Sequence, residues 1–132
     1  MGATRSAGPA FAAALVIVAL LMPLAGVQAL LVTVQKVPAP VAAVYDPSKG
    51  EVFVANYQDN TVSVIADANN SVVATVRVGI DPFALVYDAS KGEVFVANNG
   101  NSSLSVISDS SDSVVATVPV GSGPIGLAYD SS

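Results

Sequence analysis

The sequence predicts an all-β fold made of four-stranded antiparallel sheets, preceded by an N-terminal hydrophobic helix. Three observations carry that prediction. Tyr45-Asp46, Tyr87-Asp88 and Tyr129-Asp130 recur every 42 residues, and Pro40, Pro82 and Pro124 keep the same step. Residues 40–79 and 82–121 therefore align without a gap and share roughly two-thirds of their positions, including "SKGEVFVAN" and "SVVATV". The body is rich in Val, Ala, Ser and Gly, and β-branched residues with turn formers favour strands over helices. Within each unit, short apolar runs alternate with polar turns at hairpin spacing.

The elements follow in chain order. Arg5 is the only charge before Lys36, and residues 10–24, "AFAAALVIVALLMPL", form an apolar run of signal-peptide length. Pro23 and Gly26 interrupt it, and "VQA" at 27–29 places small residues where a signal peptidase reads. Residues 1–29 are expected to be a signal peptide. The alternative is an uncleaved anchor helix, because "ALLVTV" at 29–34 prolongs the apolar stretch to spanning length. A buried helix of the folded domain is the weaker reading, since a helix apolar all round finds little here to cover it.

Residues 30–132 are expected to form the repeat domain, with units at about 38–79 and 80–121 and the start of a further one at 122–132. In the second unit, "FALVYD" is a first strand and "DASKGE" a turn in which Gly92 is free to take positive φ. "EVFVAN" is a second strand, apolar on both faces, as expected of a strand covered on either side. "LSVIS" is the third. "VVATVPV" is the fourth, and Pro119 places it at a sheet edge because proline donates no ladder hydrogen bond. Four strands in about 40–45 residues, with both faces covered, make a β-propeller blade.

The ends carry their own expectations. "LVTVQKV" at 31–37 aligns with the fourth strand of a unit, and "LAYDSS" at 127–132 closes a first strand. Two blades fall short of the roughly 4–8 a ring uses, so the chain is expected to be a fragment of a longer protein. Remaining blades or other copies would be needed to close a ring. Ten strands per chain is not a whole number of four-stranded blades, which makes closure between copies awkward.

Composition excludes several function classes. Hydrophobic residues make up 52% and charged residues 11%, enough apolar surface to fold. The net charge of −5, with no basic cluster, argues against nucleic acid partners. Removal of the signal would leave four basic against ten acidic residues, a net charge of −6. There is no Cys and no His, which removes disulfides, thiolate nucleophiles, Cys/His zinc sites and Ser-His-Asp arrangements.

"FVAN" at 53–56 and 95–98 stands where one family carries Tyr-Val-Thr-Asn, and the unit as a whole resembles the YVTN-type β-propeller repeat. The matching parts are "G-x-x-P" at 79–82 and 121–124, "YD-x-x-KGEVFVAN", a third strand running to Asp67 or Asp109, and "VVATV-x-VG". The resemblance covers about residues 31–132, with Phe for Tyr and Ala for Thr as departures. It implies a propeller, commonly seven-bladed, on exported or cell-surface proteins, including surface-layer-like and periplasmic ones. Related propellers include lactonases and quinone-dependent dehydrogenases, so the family does not fix one activity.

Candidate chemistry is sparse. Asp46, Asp88 and Asp130 precede a turn in every unit and read as turn-capping carboxylates rather than channel ligands. Lys49, Lys91, Glu51 and Glu93 read as solvated charges. Asn56 and Asn98 end the second strand and are candidate ligand-binding residues, although satisfying loop backbone is the simpler role. "DANNS" and "DSSDS" are oxygen-rich but lack the Gly and bidentate Glu spacing of a calcium loop, so no metal or cofactor is expected. Asn69 and Asn101 match the glycosylation acceptor pattern.

Positions that differ between units are the better place to seek function. Tyr57-Gln58-Asp59 becomes Asn99-Gly100-Asn101, and Ile80-Asp81 becomes Ser122-Gly123. Asp81 precedes an innermost strand, where propeller ligands sit near the channel mouth. The expected role is a non-enzymatic, extracytoplasmic binding or surface-scaffold module, with a protein or glycan partner and membrane contact only through the N-terminal segment. The alternative is part of a lactonase-like or quinone-dependent enzyme whose catalytic residues lie outside this chain.

Overall fold

The computed structural model describes residues 15–21, 29–35 and 39–132, with side chains from residue 39 onward. The described residues fall into two units divided between Val37 and Pro38. In the first, β1 (Leu15–Leu21) pairs antiparallel with β2 (Ala29–Gln35), Leu15 opposite Gln35 and Leu21 opposite Ala29. This differs from the expected N-terminal helix over these residues. Val16, Ile17 and Val18, with Val32, Thr33 and Val34, favour extended backbone once a partner strand is at hand. Residues 29–35, which align with the fourth strand of a unit, are extended as that alignment leads one to expect. The rest of the expected signal segment lies outside the described residues, and no described helix is long and apolar enough to cross a membrane.

The second unit holds two four-stranded antiparallel sheets. The first blade runs β3 (Pro40–Asp46), β4 (Glu51–Asn56), β5 (Thr61–Ala66) and β6 (Ser71–Arg77), in that spatial order. The second runs β7 (Pro82–Asp88), β8 (Glu93–Asn98), β9 (Ser103–Ser108) and β10 (Ser113–Pro119). Strands are sequential because each hairpin turn is short. Pro119 lies in an edge strand, where its missing N–H breaks no ladder.

The β3–β4 and β7–β8 turns close alike. Gly50 and Gly92 sit at φ 69° and 67°, and their N–H groups donate to Asp46 O at 3.0 Å and Asp88 O at 2.9 Å. The preceding carboxylates cap the same turns, as the sequence leads one to expect. Asp46 Oδ1 accepts from Ser48 N at 2.7 Å, and Asp88 Oδ1 from Ser90 N at 2.9 Å.

The two sheets stack face to face, and their shared core is one cluster: Phe53, Val62, Val64 and Val76 from the first blade with Val94, Val96 and Ile107 from the second. Cross-strand register explains which residues enter it. Phe53 stands opposite Val64 on one face of the first blade, whereas Val94 stands opposite Ile107 on the other face of the second. Equivalent residues thus meet different surroundings: Phe53 is 0% exposed, while Phe95 on the outward face is half-buried.

Residues 124–132 form no strand. They nevertheless repeat the unit's contacts, with Asp130 Oδ1 accepting from Ser132 N at 2.9 Å. The first strand of a unit finds its ladder partner in the second strand of the same unit, which this sequence does not contain.

Candidate functional site

The β4–β5 turns and the β6–β7 connection share one end of the blades, and most of the change between the two units lies there. The longest run of differing positions is 57–62 against 99–104. The first is a plain turn and the second begins with a 3-10 turn at Asn99–Asn101. The strands entering this end carry matched bulges. The β3–β4 register skips between Pro40 and Ala42, and that of β7–β8 between Pro82 and Ala84. Each bulge re-aims one side chain outward, Val41 at 44% and Phe83 at 42% exposure. Tyr57 meets Phe83 edge to face, with centroids 6.1 Å apart at 80°.

Asp81 ties the two turns together. It adopts φ 55°, a left-handed conformation costly for a residue with a Cβ. Its N–H donates to Asn60 Oδ1 at 2.9 Å, and its carbonyl accepts from Asn99 N at 3.0 Å. The equivalent residue, Gly123, takes φ 64° at no such cost. A strained Asp beside the exposed Phe83 and the half-buried Tyr57 is the feature of this end most suggestive of function.

The other residues singled out from sequence are spread over the fold. Asn56, half-buried, and Asn98, buried, hydrogen-bond to hydroxyls of the neighbouring strand rather than to loop backbone. Asn56 Nδ2 donates to Thr61 Oγ1 at 3.1 Å and Ser63 Oγ at 2.8 Å. Asn98, fully buried, repeats this with Ser103 at 3.1 Å and Ser105 at 2.9 Å. Asn69 lies exposed in the β5–β6 turn, its Oδ1 accepting from Ser71 Oγ at 2.7 Å. Asn101 lies exposed at the variable end and accepts from Ser103 Oγ at 3.0 Å.

The opposite end is a polar seam between the blades. The Tyr87 hydroxyl donates to Asp109 Oδ2 at 3.0 Å and shares a hydrogen bond with Ser48 Oγ at 3.1 Å. Lys49, expected to be solvated, donates from Nζ to the Asp109 carbonyl at 2.7 Å. The Ser48 contact favours the Tyr87 phenolate, but desolvation and the Asp46 and Asp109 carboxylates outweigh it and push the hydroxyl up to about 12. Desolvation acts to raise Asp46. Hydrogen bonds from the Ser48 hydroxyl and from the Ser48 and Lys49 backbone N–H groups, with the Tyr87 hydroxyl nearby, more than offset it and hold the carboxyl below its ordinary value.

Glu51 is also not the solvated charge expected. Directly opposite Asp46 in the ladder, it is 9% exposed, and burial, followed by the nearby Asp112 charge, raises its pKa. Asp46 Oδ2, Glu51 Oε2 and Asp112 Oδ1 find no hydrogen-bond partner among the described residues. No group of three acidic side chains among them is placed to hold a metal ion, and they enclose no pocket. The variable end is therefore an open surface rather than a cleft.

Stacked four-stranded blades of this kind define a propeller-type repeat protein. The chain is similar in structure to a hydrazine synthase of Kuenenia stuttgartiensis, with a TM-score of 0.62 and 22% identity over 66% of this chain and 25% of that one. It is similar to apo AztD from Citrobacter koseri, with a TM-score of 0.57 and 20% identity over 71% of this chain and 27% of that one. A functionally unknown protein from Desulfotomaculum acetoxidans gives a TM-score of 0.57 and 19% identity over 70% and 32% of the two chains. The chain spans about a quarter to a third of the length of these proteins, and at such identities the likeness speaks for the fold alone. No protein-family model and no curated protein matches the chain.

Proposed function

We propose that this chain is part of an exported, YVTN-type β-propeller repeat protein that serves as an extracytoplasmic binding or surface-scaffold module. The observation that carries the proposal is where the two units differ. The inner strands β4 and β8 are identical, while residues 57–62 and 80–81 depart from their counterparts beside the outward-turned Phe83. Rigid blades would hold this end as a display surface. Tyr57 and Phe83 would supply flat apolar contact, and Gln58, Asp59, Asn60 and Asp81 would supply hydrogen bonds at the rim. That combination suits a glycan or a polar protein surface, and the acidic balance disfavours an anionic partner. Export is supported by the lone Arg5, the apolar run and the small residues at 27–29.

The test is binding of the full chain to immobilised oligosaccharides and to purified cell-envelope protein. Binding that falls at least about tenfold in Tyr57→Ala, with an unchanged thermal melt, is the expected result. Failure to bind either probe refutes the display surface. Turnover of a lactone, or quinone-linked oxidation by the chain, would replace it with the enzymatic alternative. Recovery of the chain only from the cytoplasm would refute export.

A further inference from the structure

We infer that Glu51 and Asp112 share one proton across the seam between the two blades, so that this joint is held together in acid and pressed apart as the pH rises. Three buried carboxylate oxygens at the seam meet no hydrogen-bond donor among the described residues: Asp46 Oδ2, Glu51 Oε2 and Asp112 Oδ1. Asp46 is 0% and Glu51 9% exposed, so neither side chain has open solvent to turn to. Asp46 and Glu51 stand directly opposite each other in the β3–β4 ladder of the first blade. Asp112 comes from the β9–β10 turn of the second. One proton mends the arrangement. Taken from solvent onto Glu51 Oε2, it makes a donor for the Asp112 carboxylate, and two unpaired oxygens become one hydrogen bond.

The repeat singles out Asp112. Its counterpart in the first blade is Asn70, and both take the left-handed backbone, at φ 49° and 57°. Both close the same hairpin, Asp112 N donating to Ser108 O and Asn70 N to Ala66 O, each at 2.9 Å. Asn is at home in that conformation, so the turn itself has no need of a carboxylate. The carboxylate does bear on Glu51. Burial is the first cause that raises the Glu51 pKa, and the Asp112 charge is the next. Lys49 acts the other way without cancelling them, and its Nζ donates to the Asp109 carbonyl at 2.7 Å. Asp46 and Asp109 add smaller charges of the same sign as Asp112. Asp46 does not take the proton, because hydrogen bonds from Ser48 outweigh its burial and hold it below its ordinary value. Asp109 Oδ2 accepts from the Tyr87 hydroxyl at 3.0 Å, and Tyr87, pushed up to about 12, keeps its own proton.

Linkage sets the direction. A carboxyl whose folded-state pKa is raised binds its proton more tightly in the folded chain. The shared proton therefore stabilises the joint below the ordinary Glu value of 4.5, and that contribution fades as the pH rises through the raised folded value. Beyond it, Glu51, Asp112 and Asp46 are three like charges around one buried seam, where their repulsion is less screened than in water. The polar ties that cross the seam here, Tyr87 to Ser48 at 3.1 Å and Lys49 to Asp109, lie on exposed atoms and yield before the apolar core does.

Carbon-13 NMR of the Glu51 carboxyl, with the full chain titrated from about pH 3 to about pH 9, tests the shared proton. Asp112→Asn copies the residue that the first blade carries in the same turn, so the chain should fold, and the Glu51 titration should move down toward the ordinary value. An unmoved Glu51 titration would overturn the proposal, because burial alone would then hold the proton. In urea titrations at about pH 8, Asp112→Asn and Glu51→Gln should each raise the midpoint, and the double variant should fall short of the sum by about half the smaller gain or more. Fully additive gains would overturn it as well. The chain has no cysteine, so spin labels at Ala68→Cys and Ser110→Cys, exposed turn positions one repeat apart, report on the joint itself. Their distance distribution should broaden between about pH 5 and about pH 8, and less so with Asp112→Asn. A distribution that stays the same would refute a joint that loosens.

Discussion

Phe53 and Phe95 occupy the same place in the same six-residue strand, "EVFVAN", yet truncating them should have unequal costs. Phe53 is fully buried between Val44 and Val64 of its own sheet and the valines of β8. Removing a buried Phe ring loses its transfer free energy and leaves a cavity that a two-sheet core closes only in part, so Phe53→Ala should cost about 3–5 kcal/mol. Phe95 points to the outward face and keeps part of its surface in water, so Phe95→Ala should cost about half as much. A domain of this size has only about 5–15 kcal/mol of stability in total. With a urea slope of about 1 kcal/mol/M, the midpoint should fall by about 3 M or more for Phe53→Ala and by about 1.5–2.5 M for Phe95→Ala. Urea titration of the full chain, followed by far-UV circular dichroism in dilute solution, reads both. Equal losses, or a larger loss at Phe95, would refute the assignment of the faces.

Three further outcomes follow from the turns and the seam. Gly92→Ala should destabilise by about 1–2 kcal/mol from the left-handed backbone alone, and more because its Cβ would stand 2.8 Å from Asp109 Oδ1; a thermal melt lowered by less than about 3 °C would contradict this. The folded-state pKa of Glu51 is raised above the ordinary 4.5, so its carboxyl opposes folding once ionised: Glu51→Gln should be more stable than wild type at pH 7 and lose that advantage as the pH falls to 4, and denaturant midpoints at both values decide it. Asp81→Gly should keep or raise stability, by up to about 1 kcal/mol, while weakening any ligand held by the carboxylate, and a large drop in melting temperature would show that the Asp81 side chain is structural.

Legibility followed periodicity. The 42-residue step, the sequential strand order and the edge position of Pro119 could all be read, because each rests on local alternation and turn chemistry. The bulges could not. Pro82-Phe83-Ala84 reads as the start of a simple alternating strand, and nothing in the letters says that Phe83 is the extra residue turned outward. Glu51 was illegible for a related reason. A carboxylate beside a turn glycine looks solvated, and only the stacking of the next blade buries it. At β1 the apolar run fitted a helix by length, and its β-branched residues point to the extended form the structure gives. At the variable end, Asp81 stood out because Gly123 replaces it, but Tyr57 gained meaning only with Phe83 against it.

The contrast between Phe53 and Phe95 also explains why the copying is so strict in the strands. A residue of β4 or β8 serves one face, and the register commits alternate residues to opposite faces, so an inner strand has no position free of packing. Every strand position in a repeat must suit both a forward and a rear neighbour made of the same sequence, and a change in one unit is felt in the interface on either side. The 57–60 and 99–102 turns escape that constraint because their contacts run through backbone groups and single polar atoms, as in Asn99 N to Asp81 O and Asp81 N to Asn60 Oδ1. Variation is therefore cheap in the turns, at 57–60 and also at 68–70, and costly in β4 and β8.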